Sequence, residues 1–151
     1  MNSMEYCILT ELTEETARQL AVIEEESFSH PLTKRQILSL TESQNAHYII
    51  ARDGEKTVGS VWVQIVLDEG YIGNVAVLPA HRRRGIADGL LLRLSEFAGE
   101  KQLSFLTLEV RASNRAAIAL YEKNGFSVAG RRPNYYSEPK EDAILMTLRF
   151  I

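Results

Sequence analysis

Apolar residues recur along this chain with two different spacings, and each spacing predicts one kind of secondary structure. In some segments they alternate with polar residues or form short β-favouring runs, which predicts strands. In others they recur every three or four residues, which predicts helices with one apolar side. The predicted strands cover residues 6–12, 47–52, 58–67, 71–78, 103–110, 126–129 and 143–150. The predicted helices begin after Thr13, after Thr33, near Gly85 and at Ser113.

Capping and turn residues separate these segments at suitable places. Thr13 is followed by two glutamates, so a helix can begin there with negative charge at its positive end. Asp53 and Gly54 form a pair that is typical of a hairpin turn between two strands. Pro31 ends the first helix, and Asn124 with Gly125 ends the last one.

The order of the segments predicts the fold class. A strand-helix-strand portion in the middle implies parallel pairing, whereas the hairpins imply antiparallel pairing. We therefore expect an α/β fold with a mixed, twisted sheet of about seven strands and about four helices on both faces. The length of 151 residues suits a single domain that spans residues 1–151.

Composition narrows the possible functions. The net charge of −3 disfavours nucleic acid as a partner of the whole molecule. A single cysteine, Cys7, excludes an internal disulfide, and three scattered histidines suggest no metal site. We see no signal peptide and no apolar run near the ~20 residues that a membrane-spanning helix needs. These features predict a cytoplasmic enzyme or binding module without membrane attachment, either a monomer or a weak dimer.

A basic loop stands between a predicted strand and the helix that begins near Gly85. Residues 82–87 read Arg-Arg-Arg-Gly-Ile-Ala. The start of a helix offers unpaired N–H groups and partial positive charge, and small residues allow close approach, so the loop could hold a pyrophosphate. A solvated basic turn or a nucleic-acid patch are the alternatives.

Three further polar residues are candidates for a site. Glu109 interrupts an apolar strand just before a loop, on the same strand face as Phe105 and Thr107. Asn114 and Tyr121 are two helical turns apart on one helix face. Structural roles are open for all three: a salt bridge for Glu109, a helix cap for Asn114, and a half-buried packing position for Tyr121.

Two segments of the chain resemble a known family. Arg-x-x-Gly-x-Ala at residues 82–87, after the strand at 73–79, resembles the pyrophosphate-binding motif of the GNAT superfamily of acetyltransferases. The block LEVRASNRAAIALYEKNGF at residues 108–126 resembles the RimI-type branch, which acetylates the N-terminal alanine of a small-subunit ribosomal protein. The resemblance implies a GNAT fold, acetyl-CoA as cosubstrate without a metal, and direct transfer to the N-terminus of a ribosomal protein.

The resemblance also implies roles for individual residues. Glu109 would be the catalytic base that takes a proton from the amine, and Tyr121 the acid that protonates the thiolate. Apart from the resemblance, the position of Tyr135 and Tyr136 between two arginines and the last predicted strand suggests that they bind substrate as a lid over the amine site, with a mobile surface loop as the alternative. Residues expected to contact acetyl-CoA are Val75, Ala76, Val77, Arg83, Arg84, Gly85, Ile86, Ala87, Asp88 and Asn114.

Some positions depart from the family pattern. Leu32 stands where an aromatic residue is usual, Ala87 replaces the commoner glycine, and the side chain of Asp88 would oppose a phosphate. An acetyltransferase of a small amine, such as a polyamine, amino acid or aminoglycoside, and a non-catalytic acetyl-CoA-binding module stay open as alternatives. In the folded protein we expect the central strands to separate after Val77, with Glu109 and the 83–87 loop on the same face.

Overall fold

The computed structural model describes residues 4–150 and shows the predicted mixed sheet with helices on both faces. The sheet has seven strands in the order β1-β2-β3-β4-β5-β7-β6. The strands are β1 Met4–Ile8, β2 Ala46–Asp53, β3 Lys56–Val66, β4 Glu69–Val77, β5 Phe105–Arg111, β6 Ser127–Ser137 and β7 Lys140–Arg149. The helices are α1 Glu14–Ser27, α2 Lys34–Glu42, α3 Ile86–Glu100 and α4 Arg115–Lys123.

The first two helices begin where the sequence predicts. The Thr13 side chain accepts a 3.1 Å hydrogen bond from the Thr16 N–H. At α2, the Gln36 N–H donates to the Thr33 hydroxyl, and the Gln36 side chain accepts from the Thr33 N–H. This reciprocal capping box satisfies two N–H groups that the helix itself leaves unpaired.

Two strands have an end that differs from the prediction by four residues or more. The first strand ends at Ile8, four residues before the predicted end. β6 runs from Ser127 to Ser137, although the sequence predicts a strand only over 126–129. β6 lies at the edge of the sheet with most of its side chains exposed, so it does not show an alternating apolar pattern. Tyr135 and Tyr136 therefore lie in a strand, and the mobile-loop alternative is wrong.

Each face of the sheet carries different helices. A Cβ atom on Gly59 of β3 would lie 3.2 Å from side chains of Ile86 and Leu90, so Gly59 faces α3. Trp62 is three residues further along the strand and thus points to the opposite face, where it shares a cavity with Leu32 and Gln36. α2, with α1 packed against it, covers that second face.

The central strands separate earlier than predicted. β4 pairs with β5 only from Glu69 to Tyr71, so the gap opens six residues before Val77. A register shift in the β3–β4 ladder between Val61 and Val63 marks a bulge just beyond that point. Such a bulge bends and twists its strand, while β5 stays paired with β7 along its whole length. The expected separation at Val77 is wrong because it ignores this bulge.

Two features are absent from residues 4–150, the part of the chain that the structure describes. None of their helices is both long and apolar enough to cross a membrane. They also contain no group of three or more His, Cys, Asp or Glu side chains that could hold a metal ion.

Candidate functional site

A cavity of about 580 Å³ opens where β4 and β5 separate. It is bounded by the end of α1, the end of β4, the loop before α3, and the first turns of α3 and α4. Among the residues predicted to contact acetyl-CoA, all but Arg84 line it: Val75, Ala76, Val77, Arg83, Gly85, Ile86, Ala87, Asp88 and Asn114. The tertiary structure thus brings three separate sequence segments to one place.

The loop before α3 leaves the start of that helix open. Arg83 and Gly85 both have positive φ, at 62° and 78°. Gly85 is the N-cap residue and provides no side chain that could bond the first N–H groups of α3. A Cβ on Gly85 would have no neighbour within 4 Å. Uncapped N–H groups beside open space and arginines fit a pyrophosphate.

Arg82 also lines this cavity, although it is not among the residues predicted to contact acetyl-CoA. Its Nε donates a 2.9 Å hydrogen bond to the carbonyl oxygen of Val77. The arginine therefore fastens the loop to the end of β4. It is the first position of the Arg-x-x-Gly-x-Ala motif, so the signal for it was present in the sequence.

Asp88 does not leave an uncompensated charge beside the loop. Its carboxylate accepts hydrogen bonds of 3.0 Å from the Asn124 side chain and 3.2 Å from Lys123. These contacts, the bond from Asn124 foremost, lower the pKa of Asp88 below its ordinary value. The opposition to phosphate expected from the sequence is thus offset by Lys123, and Asp88 joins the start of α3 to the end of α4.

Asn114 caps a helix, and its contact with acetyl-CoA stays a prediction. Its side-chain oxygen accepts a 3.2 Å hydrogen bond from the Ala117 N–H, which makes it the N-cap of α4. It also lines the large cavity together with Ala116 and Ala117. The small side chains of these alanines leave the cavity wall of α4 shallow.

Glu109 lines a second cavity, of about 260 Å³. Tyr71 pairs with Gln64 on one side and with Thr107 on the other, so all three point to one face. Gln64 points the same way as Trp62, and Glu109 the same way as Thr107. Glu109 thus projects from the face that carries α1 and α2, whereas the 83–87 loop begins α3 on the other face.

The expectation of a shared face for Glu109 and the loop is therefore wrong. The β4–β5 ladder ends at Thr107, two residues before Glu109, so the sheet is open at the level of that carboxylate. Beyond Tyr71 and Thr107, no backbone pairing joins β4 to β5. Alternation correctly places Glu109 on the same strand face as Thr107. The separation of β4 from β5, however, depends on pairing between distant segments.

Glu109 is flanked by a cation. Its Oε1 lies 3.3 Å from Nε of Arg132, with about a third of the Glu109 side chain exposed. The salt-bridging role for Glu109 is thus present, although with Arg132 and not with Arg111 as its partner. Arg149 lines the same cavity.

Tyr121 is buried, with a ring that packs edge to face against Phe126 at a centroid distance of 5.8 Å. Burial raises the pKa of Tyr121 to about 12, with a smaller contribution from the neighbouring Tyr136. The phenol therefore keeps its proton throughout the physiological range. Tyr121 does not itself line the large cavity, whose α4 wall consists of residues closer to the N-terminus of that helix.

Tyr136 lies close enough to Tyr121 and Glu109 to interact with both. Burial is the main cause that raises the pKa of Tyr136, and the charge of Glu109 adds to it. The guanidinium of Arg111 lies 4.3 Å from its ring centroid. Arg111 also donates to the Pro139 carbonyl at 2.9 Å, and so fastens the β6–β7 hairpin to β5.

Tyr135 is more exposed than its neighbour, with 51% of its surface accessible. The two tyrosine rings pack edge to face at 5.1 Å. The guanidinium of Arg132 lies 6.0 Å from the Tyr135 ring centroid. Substrate contact by these two tyrosines stays a prediction.

Comparisons with known proteins agree with this geometry. Residues 9–126 match the Acetyltransferase (GNAT) family. The chain is 37% identical over 128 residues to the [ribosomal protein bS18]-alanine N-acetyltransferase of Escherichia coli strain K12, covering 83% of this chain and 86% of the relative. The crystal structure of the ribosomal-protein-S18-alanine N-acetyltransferase from Escherichia coli superimposes with a TM-score of 0.84 and 33% identity, over 96% of this chain and 94% of that chain. A Bacillus anthracis acetyltransferase solved in complex with acetyl coenzyme A superimposes with a TM-score of 0.68 and 25% identity, over 76% and 68% of the two chains.

Proposed function

Because the chain belongs to the GNAT acetyltransferase family, and is an N-acetyltransferase that uses acetyl-CoA, we propose that its acceptor is the N-terminal amine of a ribosomal protein that begins with alanine. The observation that carries this proposal is the similarity to bS18-alanine N-acetyltransferases over more than four fifths of the chain. A bacterial ribosomal protein is made in the cytoplasm, which we propose as the site of action.

The donor side of the reaction depends on the large cavity. The N–H groups at the start of α3 and the Arg83 side chain would hold the pyrophosphate, and the end of β4 would align the pantetheine arm. Acetyl-CoA supplies an acetyl group that its thioester activates toward amines. The gap between β4 and β5 would let that group reach the face on which Glu109 lies.

The acceptor side needs a base because an α-amine has a pKa of roughly 8 and is largely protonated at neutral pH. Glu109 would take a proton from this amine, directly or through a water molecule. A bond then forms between the amine nitrogen and the acetyl carbon while the bond from that carbon to sulfur breaks, and the nitrogen releases its second proton to solvent. Tyr121 would give its proton to the departing sulfur, a role for which its raised pKa keeps it in the protonated form.

The charges around Glu109 favour a peptide over a polycation. The cavity contains Arg132 and Arg149 alongside this single carboxylate. Two guanidinium groups would repel a polyamine or an aminoglycoside, whereas a peptide N-terminus brings one amine. A non-catalytic module is disfavoured because the chain has both a carboxylate that could act as base, Glu109, and a phenol that keeps its proton, Tyr121.

Acetyl transfer to defined acceptors tests the proposal. A peptide with the first residues of a bS18 ribosomal protein is compared with the same peptide carrying a blocked N-terminus, with spermidine, and with free alanine. Mass spectrometry locates the acetyl group. We expect kcat/KM for the free peptide to exceed that for each other acceptor by at least about tenfold, or roughly 1.4 kcal/mol in transition-state free energy. Faster acetylation of spermidine, or equal acetylation of the blocked peptide, would reject the proposed acceptor.

A further inference from the structure

The ion pair between Arg132 and Glu109 joins the edge strand β6 to the candidate base on β5. Arg132 lies on β6, Glu109 lies on β5, and β7 runs between them. The pair is formed by Nε and Oε1, 3.3 Å apart. Neither residue belongs to the cavity in which acetyl-CoA is expected.

The ladder explains how one side chain can span β7. Arg132 pairs with Ala143, which in turn pairs with Arg111 of β5. Ala143 therefore points to the same face as Glu109, and its single methyl group leaves room for a long side chain above it. A larger residue at position 143 would stand between the guanidinium and the carboxylate.

The ladder also fixes Arg132 at a defined point. Directly after it, the β6–β7 register shifts, and pairing resumes only at Tyr136. Arg132 is thus the last paired residue before the irregular segment that carries Tyr135. The guanidinium lies near both Glu109 and the Tyr135 ring, which limits the positions that it can occupy.

We propose that Arg132 is a positioning residue that holds one oxygen of Glu109 and leaves the other oxygen to the amine of the acceptor. Within residues 4–150, Oε2 of Glu109 has no hydrogen bond or ion pair, and Oε1 has Arg132. A carboxylate held at one oxygen keeps its second oxygen at a constant place, which a proton transfer at hydrogen-bond distance requires. This inference depends on the base role that we propose for Glu109.

A double-mutant cycle tests whether Arg132 acts through Glu109. R132Q, E109Q and the double variant are assayed for acetyl transfer to the alanine peptide, with excess enzyme in single turnover for the slow variants. We expect R132Q to lower kcat about tenfold in the parent background and by less than about twofold in the E109Q background, because residues that act as one unit are not additive. The acceptor KM should change less than about twofold.

Two further variants separate positioning from a structural effect. R132K, which keeps a cation able to pair with one oxygen, should recover a measurable part of the lost rate. R131Q is the matched control, because Arg131 is the preceding residue of β6 and forms an ion pair of 2.7 Å with Asp142, away from Glu109. R131Q should keep kcat within about twofold of the parent.

The outcomes distinguish this inference from the proposed function. If the parent enzyme does not acetylate the peptide, the proposed acceptor is wrong, and the same cycle is run with whichever acceptor reacts. The inference is overturned if R132Q lowers kcat equally in both backgrounds, leaves kcat unchanged, or changes only KM. It is also overturned if the E109Q variant is as active as the parent. An equal fall in kcat in R131Q and R132Q would likewise overturn it, since this would indicate a general effect on β6.

Discussion

The guanidinium of Arg82 donates a 2.9 Å hydrogen bond to the carbonyl oxygen of Val77, and so connects the basic loop to the last residue of β4. Because β4 has no neighbour on its β5 side at this level, this bond is one of the contacts that fix the strand end relative to the loop. The shape of the donor site therefore depends on Arg82 as well as on the residues that face the cavity.

Replacement of Arg82 by alanine should weaken the binding of acetyl-CoA. A hydrogen bond from a charged group contributes roughly 1.5–3 kcal/mol, so we expect the Kd for coenzyme A to rise about tenfold. Isothermal titration measures this directly. Arg84→Ala should weaken coenzyme A binding less, since Arg84 does not line the cavity. Equal losses of affinity in the two variants would indicate that overall positive charge matters more than the bond to Val77.

Gly85→Ala should weaken coenzyme A binding more than Arg83→Ala. A side chain on Gly85 meets no protein atom, but φ of 78° is strained for any residue with a Cβ. That conformation costs roughly 1–2 kcal/mol, whereas an exposed charge near a phosphate contributes about 1 kcal/mol or less. Arg83→Gly, which removes the charge without imposing strain at φ 62°, is the control. Coenzyme A titrations in low and high salt separate the effect of backbone strain from that of side-chain charge. A larger loss of affinity in Arg83→Ala would contradict the backbone explanation.

Asp88→Asn should lower stability at neutral pH but not in acid. The pKa of Asp88 is lowered in the folded state, so its contribution is present above the unfolded pKa of about 3.9 and is lost as pH falls through the folded pKa. With a third of the side chain exposed, the loss at pH 7 should be about 1 kcal/mol or less. Urea unfolding at pH 7 and near pH 3 measures the difference; a gap that persists in acid would mean that the charge of Asp88 does not matter.

Gly73→Ala should destabilise the protein through Trp62. A Cβ at Gly73 would lie 2.0 Å from the indole, so this side chain or the β4 bulge must move. Crowding of this kind costs typically 1–3 kcal/mol. Trp62 is the single tryptophan, so its fluorescence reports the displacement. Gly99→Ala, where a Cβ meets nothing within 4 Å in α3, should leave fluorescence unchanged and raise stability slightly.

Tyr121→Phe should slow the chemical step without weakening the binding of coenzyme A. Loss of a general acid lowers kcat by roughly 10²-fold. Because the pKa of Tyr121 is raised to about 12, the phenol stays protonated, and kcat of the parent enzyme should show no alkaline loss from this residue below about pH 11. Rate measurements across pH, with coenzyme A titrations of both proteins, provide the check. A large rise in Kd for coenzyme A would make Tyr121 a binding residue instead.

Local signals in the sequence account for much of the fold. Thr13 and Thr33 both cap the helices that they precede, and Asp53 with Gly54 ends β2 in a hairpin turn, because capping and turn formation involve residues only a few positions apart. The basic loop and the start of α3 are likewise adjacent along the chain. Alternation also places Glu109 on the same face as Thr107, as the structure confirms.

Tertiary structure alone decided how these pieces form a site. The separation of β4 from β5 after Tyr71 depends on a bulge opposite Trp62 and on the pairing of β5 with β7. The long edge strand that carries Tyr135 takes its conformation from the partner strand β7 and not from its own hydrophobic pattern. Arg132 reaches Glu109, and Lys123 reaches Asp88, across more than twenty residues of sequence. Sequence periodicity records which side of an element faces the core, but contacts between distant segments depend on how strands pair and where that pairing stops.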